Sequence, residues 1–364
     1  MLPKLYKLSA SSGRVTQWGI TTSGNVYTVT HGQVDGKMQT VLTECFGKNL
    51  SKANATTDEQ QCIMEAEALH TKKQKSGYVT DPTGQQSTLS PMKVSVYQDM
   101  KHKLNFDTEV VYESPKLDGV NLEVRLVNGE LIFISRGGTL YPPIPHLEPE
   151  ILDIMAKLNT TSLNGELYIH GEHLQIITGA VKKTKPISSK LEFHIFDGPE
   201  LSGSYTERYD ALTRATLFGG KFVKLIQATP VKSLEDIERM HDYYVSRGYE
   251  GLVARNSSAK YIYNTRSMDV MKLKVQLDGE YLVLGYKLDK SKHPVWLCQS
   301  DGGEFSVKIA TYSEQNLEYA ANADSYIGKY LNIKYEKLSL AGKPTKGVGQ
   351  YFRVVNQQTK EVID

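Results

Sequence analysis

The sequence has few cysteines and no cysteine motif. Of its 364 residues only three are cysteine, Cys45, Cys62 and Cys298, and they lie far apart without a Cys-x-x-Cys pair. An odd number of scattered cysteines argues against a disulfide framework and against a cysteine-rich zinc site. The cysteine content therefore fits a protein of a reducing compartment.

Targeting signals, membrane spans and a strong charge bias are also missing. Residues 1–6 lack the apolar run of a signal peptide, and no stretch is long and apolar enough to cross a bilayer. We therefore expect a cytoplasmic protein with no membrane partner. The formal net charge is only +2 at pH 7, so a nucleic-acid partner is neither required nor excluded, and any phosphate-binding surface must be local.

The chain divides into three blocks without an internal repeat. Residues 1–85 combine short strand-like pieces with one helix, and residues 90–275 alternate strands and helices. Residues 276–364 are mostly strand-like, with one short helix predicted over residues 314–321. That composition suits a small β-barrel.

Two local patterns predict element boundaries. Thr57 with Gln60 three positions later is a capping-box pattern, which predicts the start of a helix in the first block. Residues 120–126 alternate apolar and polar side chains and are followed by Asn128-Gly129, the strongest short hairpin signal in the chain. The second block is thus predicted to contain an antiparallel hairpin.

A Lys-x-Asp-Gly motif precedes this hairpin. Residues 109–113 are typical of a strand, which Ser114-Pro115 is predicted to end, so that residues 116–119 form a loop. Taken alone the motif is weak, because residue frequencies give a chance match in about one protein of this length in ten. A surface turn would explain it as well as a reactive site.

The residue types in and near the motif suit attack on phosphorus. A lysine must lose its proton before it attacks, and a free lysine has a pKa of about 10.4, so the site must favour the neutral amine. Lys272, Lys274 and a bound metal are candidate cations that would do this for Lys116. Asp118 could orient the amine or hold the metal, and Gly119 lets the backbone approach a nucleotide.

Further motifs follow Lys116-Leu117-Asp118-Gly119 in a fixed order. They are Ser135-Arg136-Gly137-Gly138, Asn164-Gly165-Glu166-Leu167, Phe193-His194-Ile195-Phe196-Asp197-Gly198, Glu250-Gly251-Leu252-Val253-Ala254-Arg255 and Val270-Met271-Lys272-Leu273-Lys274. In this order they resemble the covalent nucleotidyltransferases, which comprise DNA ligases, RNA ligases and mRNA capping enzymes. The third block resembles the C-terminal OB-fold of small phage-type ATP-dependent DNA ligases.

The resemblance implies an α+β fold in three domains. Residues 90–275 would be a nucleotidyltransferase (adenylation) domain with antiparallel sheets, residues 276–364 an OB-fold β-barrel, and residues 1–85 a small N-terminal α+β domain. Parts of the first block faintly resemble a WGR-type DNA-binding module, with His31 and Gln33 in place of the signature tryptophan and arginine. A clamp or a contact with a partner protein is the alternative for that block.

The resemblance also assigns roles to residues. It implies that Lys116 is the nucleophile, that Asp118 supports catalysis and binds the metal, and that Glu250 also binds the metal. Lys272 and Lys274 would contact the α-phosphate, and Arg136 and Glu166 the ribose. Phe196 would stack on the adenine, and Ser114 would contact its amino group. From the residues alone, Phe196 also fits a core position, and Lys272 with Lys274 also fit a solvent-facing strand edge.

Two positions depart from the family pattern. Asn121 stands where ATP-dependent DNA ligases usually have an arginine, which leaves open how the 5′-phosphate is gripped. Arg125 is the nearest arginine on the same strand face. Arg255 replaces the lysine that usually ends its motif.

The function implied is ATP-dependent sealing of 3′-hydroxyl/5′-phosphate nicks in duplex DNA, with Mg²⁺ and through a lysyl-AMP. NAD-dependent ligases are longer and carry a four-cysteine zinc module, and capping enzymes typically carry an Arg-x-Asp-Lys motif that this chain lacks. Ser90-Pro91-Met92 resembles a segment of DNA ligases. We expect a monomer in the cytoplasm of a bacterium or of a phage-infected host; an RNA ligase and a non-catalytic nick-binding protein are the alternatives.

Overall fold

The computed structural model describes residues 2–9, 13–50, 53–83 and 89–353. Residues 84–88, at the predicted boundary between the first two blocks, and residues 354–364, at the end of the third block, lie outside the described residues. Contacts divide the chain into two units, Met1–Pro91 with Ile134–Leu140 and Met92–Phe133 with Tyr141–Asp364. Among the described residues no helix is both long and apolar enough to span a membrane.

The first unit is built on an antiparallel sheet with one helix. In chain order its elements are β1 (Leu5–Leu8), β2 (Val15–Ser23), β3 (Val26–Gln33), β4 (Gln39–Glu44) and α1 (Asp58–Lys75), and the strands pair in this same order. The predicted capping box is confirmed, because the Thr57 side chain accepts from the Gln60 N–H and the Gln60 side chain accepts from the Thr57 N–H. Trp18 and Ile20 from the sheet and Cys62 from the helix are buried in a common core.

The second unit starts with a mixed α and β region. Its elements are β5 (Lys93–Val96), α2 (Tyr97–Met100), β6 (Val111–Lys116), β7 (Val120–Val127), β8 (Glu130–Ser135), α3 (Glu148–Leu158), β9 (Ser162–Tyr168), α4 (Leu174–Lys182), β10 (Glu192–Asp197), α5 (Tyr205–Ala215), β11 (Val223–Leu225), β12 (Thr229–Val231), α6 (Leu234–Ser246), β13 (Gly251–Asn256) and β14 (Arg266–Lys274). Short 3₁₀ turns lie at Lys101–Lys103 and Pro186–Lys190.

Two sheets organise this region. One has the strand order β11-β10-β9-β7-β8 and the other β12-β6-β13-β14-β5. The alternation in β7 buries Leu122 and Val124 in the larger core, together with residues of α3 and α4. The predicted hairpin is confirmed: Asn128 and Gly129 both have positive φ, 51° and 85°, as the tight turn between β7 and β8 requires.

The structure corrects the predicted end of the strand before the Lys116 motif. β6 does not stop at Ser114-Pro115 but continues to Lys116. β12 pairs with β6 only as far as Glu113, so beyond that residue β6 has a single neighbour, β13. A proline is tolerated there because its missing N–H leaves no hydrogen bond unmade on the open side.

The rest of the unit forms a five-stranded sheet with OB-fold connectivity. Its elements are β15 (Leu277–Leu288), β16 (Pro294–Ser300), β17 (Gly303–Val307), α7 (Ser313–Ala321), a 3₁₀ turn (Ala323–Tyr326), β18 (Tyr330–Tyr335), β19 (Lys337–Leu338), β20 (Pro344–Thr345) and β21 (Val348–Arg353). The strand order is β17-β16-β15-β18-β21, and a bridge between Ile309 and Gly349 links the ends of this order. The helix between the third and fourth strands and the curled sheet are those of an OB-fold.

Candidate active site

Lys116, Gly251 and Lys274 lie side by side on three adjacent strands, β6, β13 and β14. Gly251 has φ 148°, and a Cβ on it would lie 2.1 Å from the carbonyl oxygen of Leu273. The Glu250 backbone N–H donates to the Lys116 carbonyl oxygen over 2.9 Å. Its Oε2 lies 2.5 Å from Lys116 Nζ, and its Oε1 contacts Lys274 Nζ. One carboxylate thus joins the two lysines.

A second row of residues lies beside the first. Val253 of β13 pairs with Ser114 of β6 on one side and with Lys272 of β14 on the other. Residues two positions apart on a strand share a face, so Ser114 and Lys272 lie on the same face of the sheet as Lys116 and Lys274. The structure therefore brings four of the predicted site residues together on one face.

The charges in this cluster depend on one another. The side chains of Lys116, Glu250 and Lys274 are only 15 to 17% exposed. Burial raises the pKa of Glu250, but the two lysines outweigh it and lower that pKa to about 2. Burial lowers the pKa of Lys274, but Glu250 and Glu336 outweigh it and hold the pKa above its ordinary value.

Asp118 also lies at this site, and it is contacted from the OB-fold. Lys337 Nζ forms an ion pair with the Asp118 carboxylate, and Lys274 Nζ lies 3.3 Å from Glu336 Oε2. A cavity of about 220 Å³ lies among these residues. Its lining is Asp118, Gly248, Tyr249, Glu250, Lys274, Val275, Glu336 and Lys337. The sequence analysis missed Glu336 and Lys337 as site residues, because they lie in a barrel segment far along the chain.

Glu166 lies on β9, the central strand of the sheet that contains the hairpin, next to Gly119. A Cβ on Gly119 would lie 2.7 Å from Glu166 Cγ and 2.3 Å from the Leu167 carbonyl oxygen. Gly119 is therefore needed to bring the Lys116 motif close to Glu166. Asn121, which replaces the usual arginine, pairs across the strands with Glu166 and donates from Nδ2 to the Gly165 carbonyl oxygen over 3.3 Å.

Phe196 lies on β10 and packs partly against the main core. Arg255 lies behind it: its Nη1 donates to the Phe196 carbonyl oxygen over 3.4 Å, and its guanidinium lies 4.2 Å from the ring centroid of Tyr205. Asp197, the residue after Phe196, forms a buried two-bond ion pair with Arg208 at 2.7 and 3.0 Å. Arg255 and Asp197 therefore hold the backbone around Phe196, and a stacking role for Phe196 stays a prediction.

The two arginines considered for nucleotide or phosphate contact are placed differently. Arg136 is exposed in the turn after β8, within the segment Ile134–Leu140 that belongs to the first unit. Its ribose contact therefore stays a prediction. Arg125 Nε donates to Glu123 over 2.7 Å, and its guanidinium lies 5.3 Å from the Tyr263 ring centroid. Arg125 is thus committed to a local network rather than left open to a DNA end.

A buried carboxyl group lies on β6, on the face opposite Lys116. Glu113 is 1% exposed and, at an odd spacing from Lys116, points to the opposite face of β6. The Tyr244 hydroxyl donates to its Oε1 over 3.0 Å, whereas its Oε2 has no hydrogen-bond partner among the described residues. Burial raises the pKa of Glu113 to about 7, although hydrogen bonds from Tyr244 and Thr229 lower it.

The folded protein should lose stability as the pH rises through about 7, relative to Glu113→Gln. Because the folded-state pKa of Glu113 lies above its unfolded value, its stabilising contribution is fully present below about pH 4.5 and is lost as the pH passes 7. Between pH 5.5 and 8.5 the difference in unfolding free energy between wild type and variant should change by about 2 kcal/mol, measured by urea unfolding. Glu130→Gln, at the exposed start of β8, is the control; parallel curves for wild type and Glu113→Gln would contradict the prediction.

A family model described as ATP dependent DNA ligase domain matches residues 91–274, which is half of the chain. The chain belongs to this family of ATP-dependent DNA ligases. The matched residues include both rows of the site, from Ser114 and Lys116 to Lys272 and Lys274. The expected α+β fold and the expected enzyme class are thereby confirmed.

Relatives and solved structures agree with the family. DNA ligases of African swine fever virus are 28% identical to this chain over an alignment of 357 positions. The alignment covers 90% of this chain and 81% of the viral protein. A structure from a study of Lig E DNA ligases with a minimal scaffold has a TM-score of 0.58 at 19% identity and covers 72% of this chain and 99% of that one. A structure named Pmar-Lig_PreS3 has a TM-score of 0.65 at 16% identity, over 81% of this chain and 73% of that one. At these identities the structures show the shared fold.

Proposed function

We propose that this ligase seals nicks in duplex DNA through an AMP carried on Lys116. The observation that supports the proposal is the row Lys116–Gly251–Lys274 with the Glu250 carboxylate between the two lysines. Ion pairs at a cavity with this composition suit phosphoryl transfer, in which catalysis consists mainly of positioning and charge stabilisation.

The steps are those that the resemblance to covalent nucleotidyltransferases implies. Lys116 attacks the α-phosphorus of ATP, a P–N bond forms, and pyrophosphate leaves. The AMP then passes to the 5′-phosphate of the nick, and attack by the 3′-hydroxyl joins the strands and releases AMP. Lys272 and Lys274, on one face of β14, hold the α-phosphate and stabilise the charge that develops on it. Glu250 must release Lys116 before the amine can attack.

We propose Mg²⁺ as the metal, held by Glu250 and Asp118. Among the described residues no group of three or more His, Cys, Asp or Glu side chains forms a ready metal cluster. Mg²⁺ is usually bound by one or two carboxylates together with substrate phosphates, so the two carboxylates at the cavity fit it. When bound, Mg²⁺ would neutralise charge on the phosphate that is transferred.

The base and the ribose are assigned to the remaining residues. We propose that Phe196 stacks on adenine, since an aromatic face suits a flat base, and that Ser114 lies near the adenine amino group. Glu166, which lies against Gly119, and Arg136 would contact the ribose. If Phe196→Leu leaves the affinity for ATP unchanged, the stacking role is wrong.

Sealing assays with matched substrates test the function. We expect the protein with Mg²⁺ to seal a nicked DNA duplex with ATP and not with NAD. Sealing only of a nick with RNA strands would keep the mechanism and make the protein an RNA ligase. Tight binding to the nick without sealing by either cofactor would instead support a nick-binding protein.

We propose a DNA contact for the N-terminal domain, residues 1–85. Residues 92–364 are three quarters of the chain, so the 90% coverage by the viral DNA ligase includes part of this domain. Lys73 Nζ lies 4.9 Å from the Tyr78 ring centroid and Lys7 Nζ lies 5.7 Å from it, a mixture of cations and rings that suits nucleic acid. In the same assays, a chain without residues 1–85 should bind nicked DNA more weakly; unchanged affinity would favour a partner-protein role.

We also propose a three-domain division at residues 1–85, 90–275 and 276–364, and a monomer in the cytoplasm of a bacterium or of a phage-infected host. The three cysteines are free and buried, which suits a reducing compartment. Sedimentation of the protein with nicked DNA would test the proposed monomer, which should bind each nick as a single protein molecule.

A further inference from the structure

Glu336 reaches the active site from the OB-fold and is shared between two lysines. Its Oε2 lies 3.3 Å from Nζ of Lys274, on β14, and 2.6 Å from Nζ of Lys346, which belongs to the OB-fold itself. Burial raises the pKa of Glu336, but Lys346 and Lys274 outweigh it and lower it. The group therefore enters the cavity as a carboxylate.

The segment that carries Glu336 is docked on the adenylation region at several points. Beyond the Lys337–Asp118 ion pair, His173 Nε2 lies 3.3 Å from the Leu338 carbonyl oxygen. His173 Nδ1 accepts from the backbone N–H of residue 175, so Nε2 carries the proton and donates to Leu338. These contacts hold the segment in place over the cavity, with the Glu336 carboxylate directed at Lys274.

We propose that Glu336 sets the affinity of the ligase for ATP, because its carboxylate occupies the position beside Lys274 that the α-phosphate takes. This inference rests on the proposed function, in which Lys274 contacts that phosphate. Both anions require the same ammonium group, so ATP must displace Glu336. Because Lys346 remains as a partner within its own domain, Glu336 can leave Lys274 without becoming an unpaired charge.

Two substitutions should change ATP use in opposite directions. Glu336→Gln keeps the shape of the side chain and removes the competing charge, so the ATP concentration for half-maximal adenylylation should fall about threefold to tenfold. Lys346→Gln removes the second partner, so Glu336 holds Lys274 more tightly and that concentration should rise about twofold. The maximal rate at saturating ATP should change little in Lys346→Gln, because Lys346 does not line the cavity.

The measurement is single-turnover transfer of labelled AMP from ATP to the full-length protein with Mg²⁺, over a range of ATP concentrations. Glu314→Gln, the same chemical change on α7 outside the cavity, is the matched control. Sealing of a saturating concentration of a nick that already carries the AMP, without ATP, is measured for the same proteins, and a variant that seals it is counted as active. Thermal melting identifies a variant that fails to fold.

The outcomes separate the inference from the proposed function. If wild type acquires no labelled AMP, the proposed function fails. If wild type is labelled but Glu336→Gln needs as much ATP or more, the inference alone is overturned. If Glu336→Gln does not fold, Lys346→Gln decides: a requirement at or below that of wild type overturns the inference.

Discussion

Lys116→Arg should abolish the formation of protein-bound AMP, lowering its rate by about 10⁴-fold or more. Arginine keeps a positive charge beside Glu250, so the ion pair that organises the cluster can persist. It cannot act as the nucleophile because a guanidinium does not lose its proton in proteins. Transfer of label from ATP that is radioactive in its α-phosphate, followed by acid precipitation of the protein, measures the effect.

The last chemical step provides the control for this variant. A nick that already carries AMP on its 5′-phosphate requires no lysine nucleophile, so the Lys116→Arg protein should still seal it, at a reduced rate. Retention of that step together with loss of labelling would identify Lys116 as the nucleophile. Labelling of the variant at the wild-type rate would rule that role out, and loss of both steps in a folded protein would give Lys116 a general role in binding.

Local sequence patterns predicted much of the fold. The hairpin at Asn128-Gly129, the capping box at Thr57 and the helix predicted over residues 314–321 are all found as expected. These features depend on neighbours within a few positions, where backbone preference and side-chain period act directly. Strand alternation also placed Lys272 and Lys274 on one face, which the pairing of β14 with β13 bears out.

Contacts between distant segments could not be read in this way. The prediction that Pro115 ends its strand was wrong. Pro115 is tolerated because β12 does not pair with β6 beyond Glu113, and that is a property of the whole sheet, which the local sequence does not show. Glu336 and Lys337 reach the site only because β18 and β19 fold back toward residues more than 60 and 200 positions earlier. No local periodicity marks such residues, and their polar side chains look like an ordinary turn of a barrel.

The family departures show a second limit of sequence reasoning. Arg255 fits its motif by position, yet it is buried, lies over Tyr205 and donates to the Phe196 carbonyl oxygen. Its charge stabilises the backbone near the predicted base-binding residue instead of pointing at the lysine cluster. Asn121 likewise binds the backbone at Gly165. In both cases the residue type was visible in the sequence, but its partner lies on another strand: on β10 of the other sheet for Arg255, and on the neighbouring strand β9 for Asn121.

Gly251→Ala should destabilise the second unit by about 3 kcal/mol or more, whereas Gly248→Ala should cost about 1 kcal/mol. Both glycines have positive φ, 148° and 84°, so both substitutions strain the backbone. They differ in space: a Cβ on Gly251 would lie 2.1 Å from the Leu273 carbonyl oxygen, while a Cβ on Gly248 would have no atom within 4 Å. Urea unfolding of the two variants measures the difference.

The comparison isolates the close approach of strands that the site requires. Gly251 lies between Lys116 and Lys274, and relief of its contact with Leu273 would have to move β14 away from β13. Such a shift would increase the distance that the Glu250 carboxylate has to span between Lys116 and Lys274. Equal urea-unfolding midpoints for the two variants would mean that β13 and β14 tolerate a side chain at position 251. The presence of glycine at that position would then need an explanation other than strand packing.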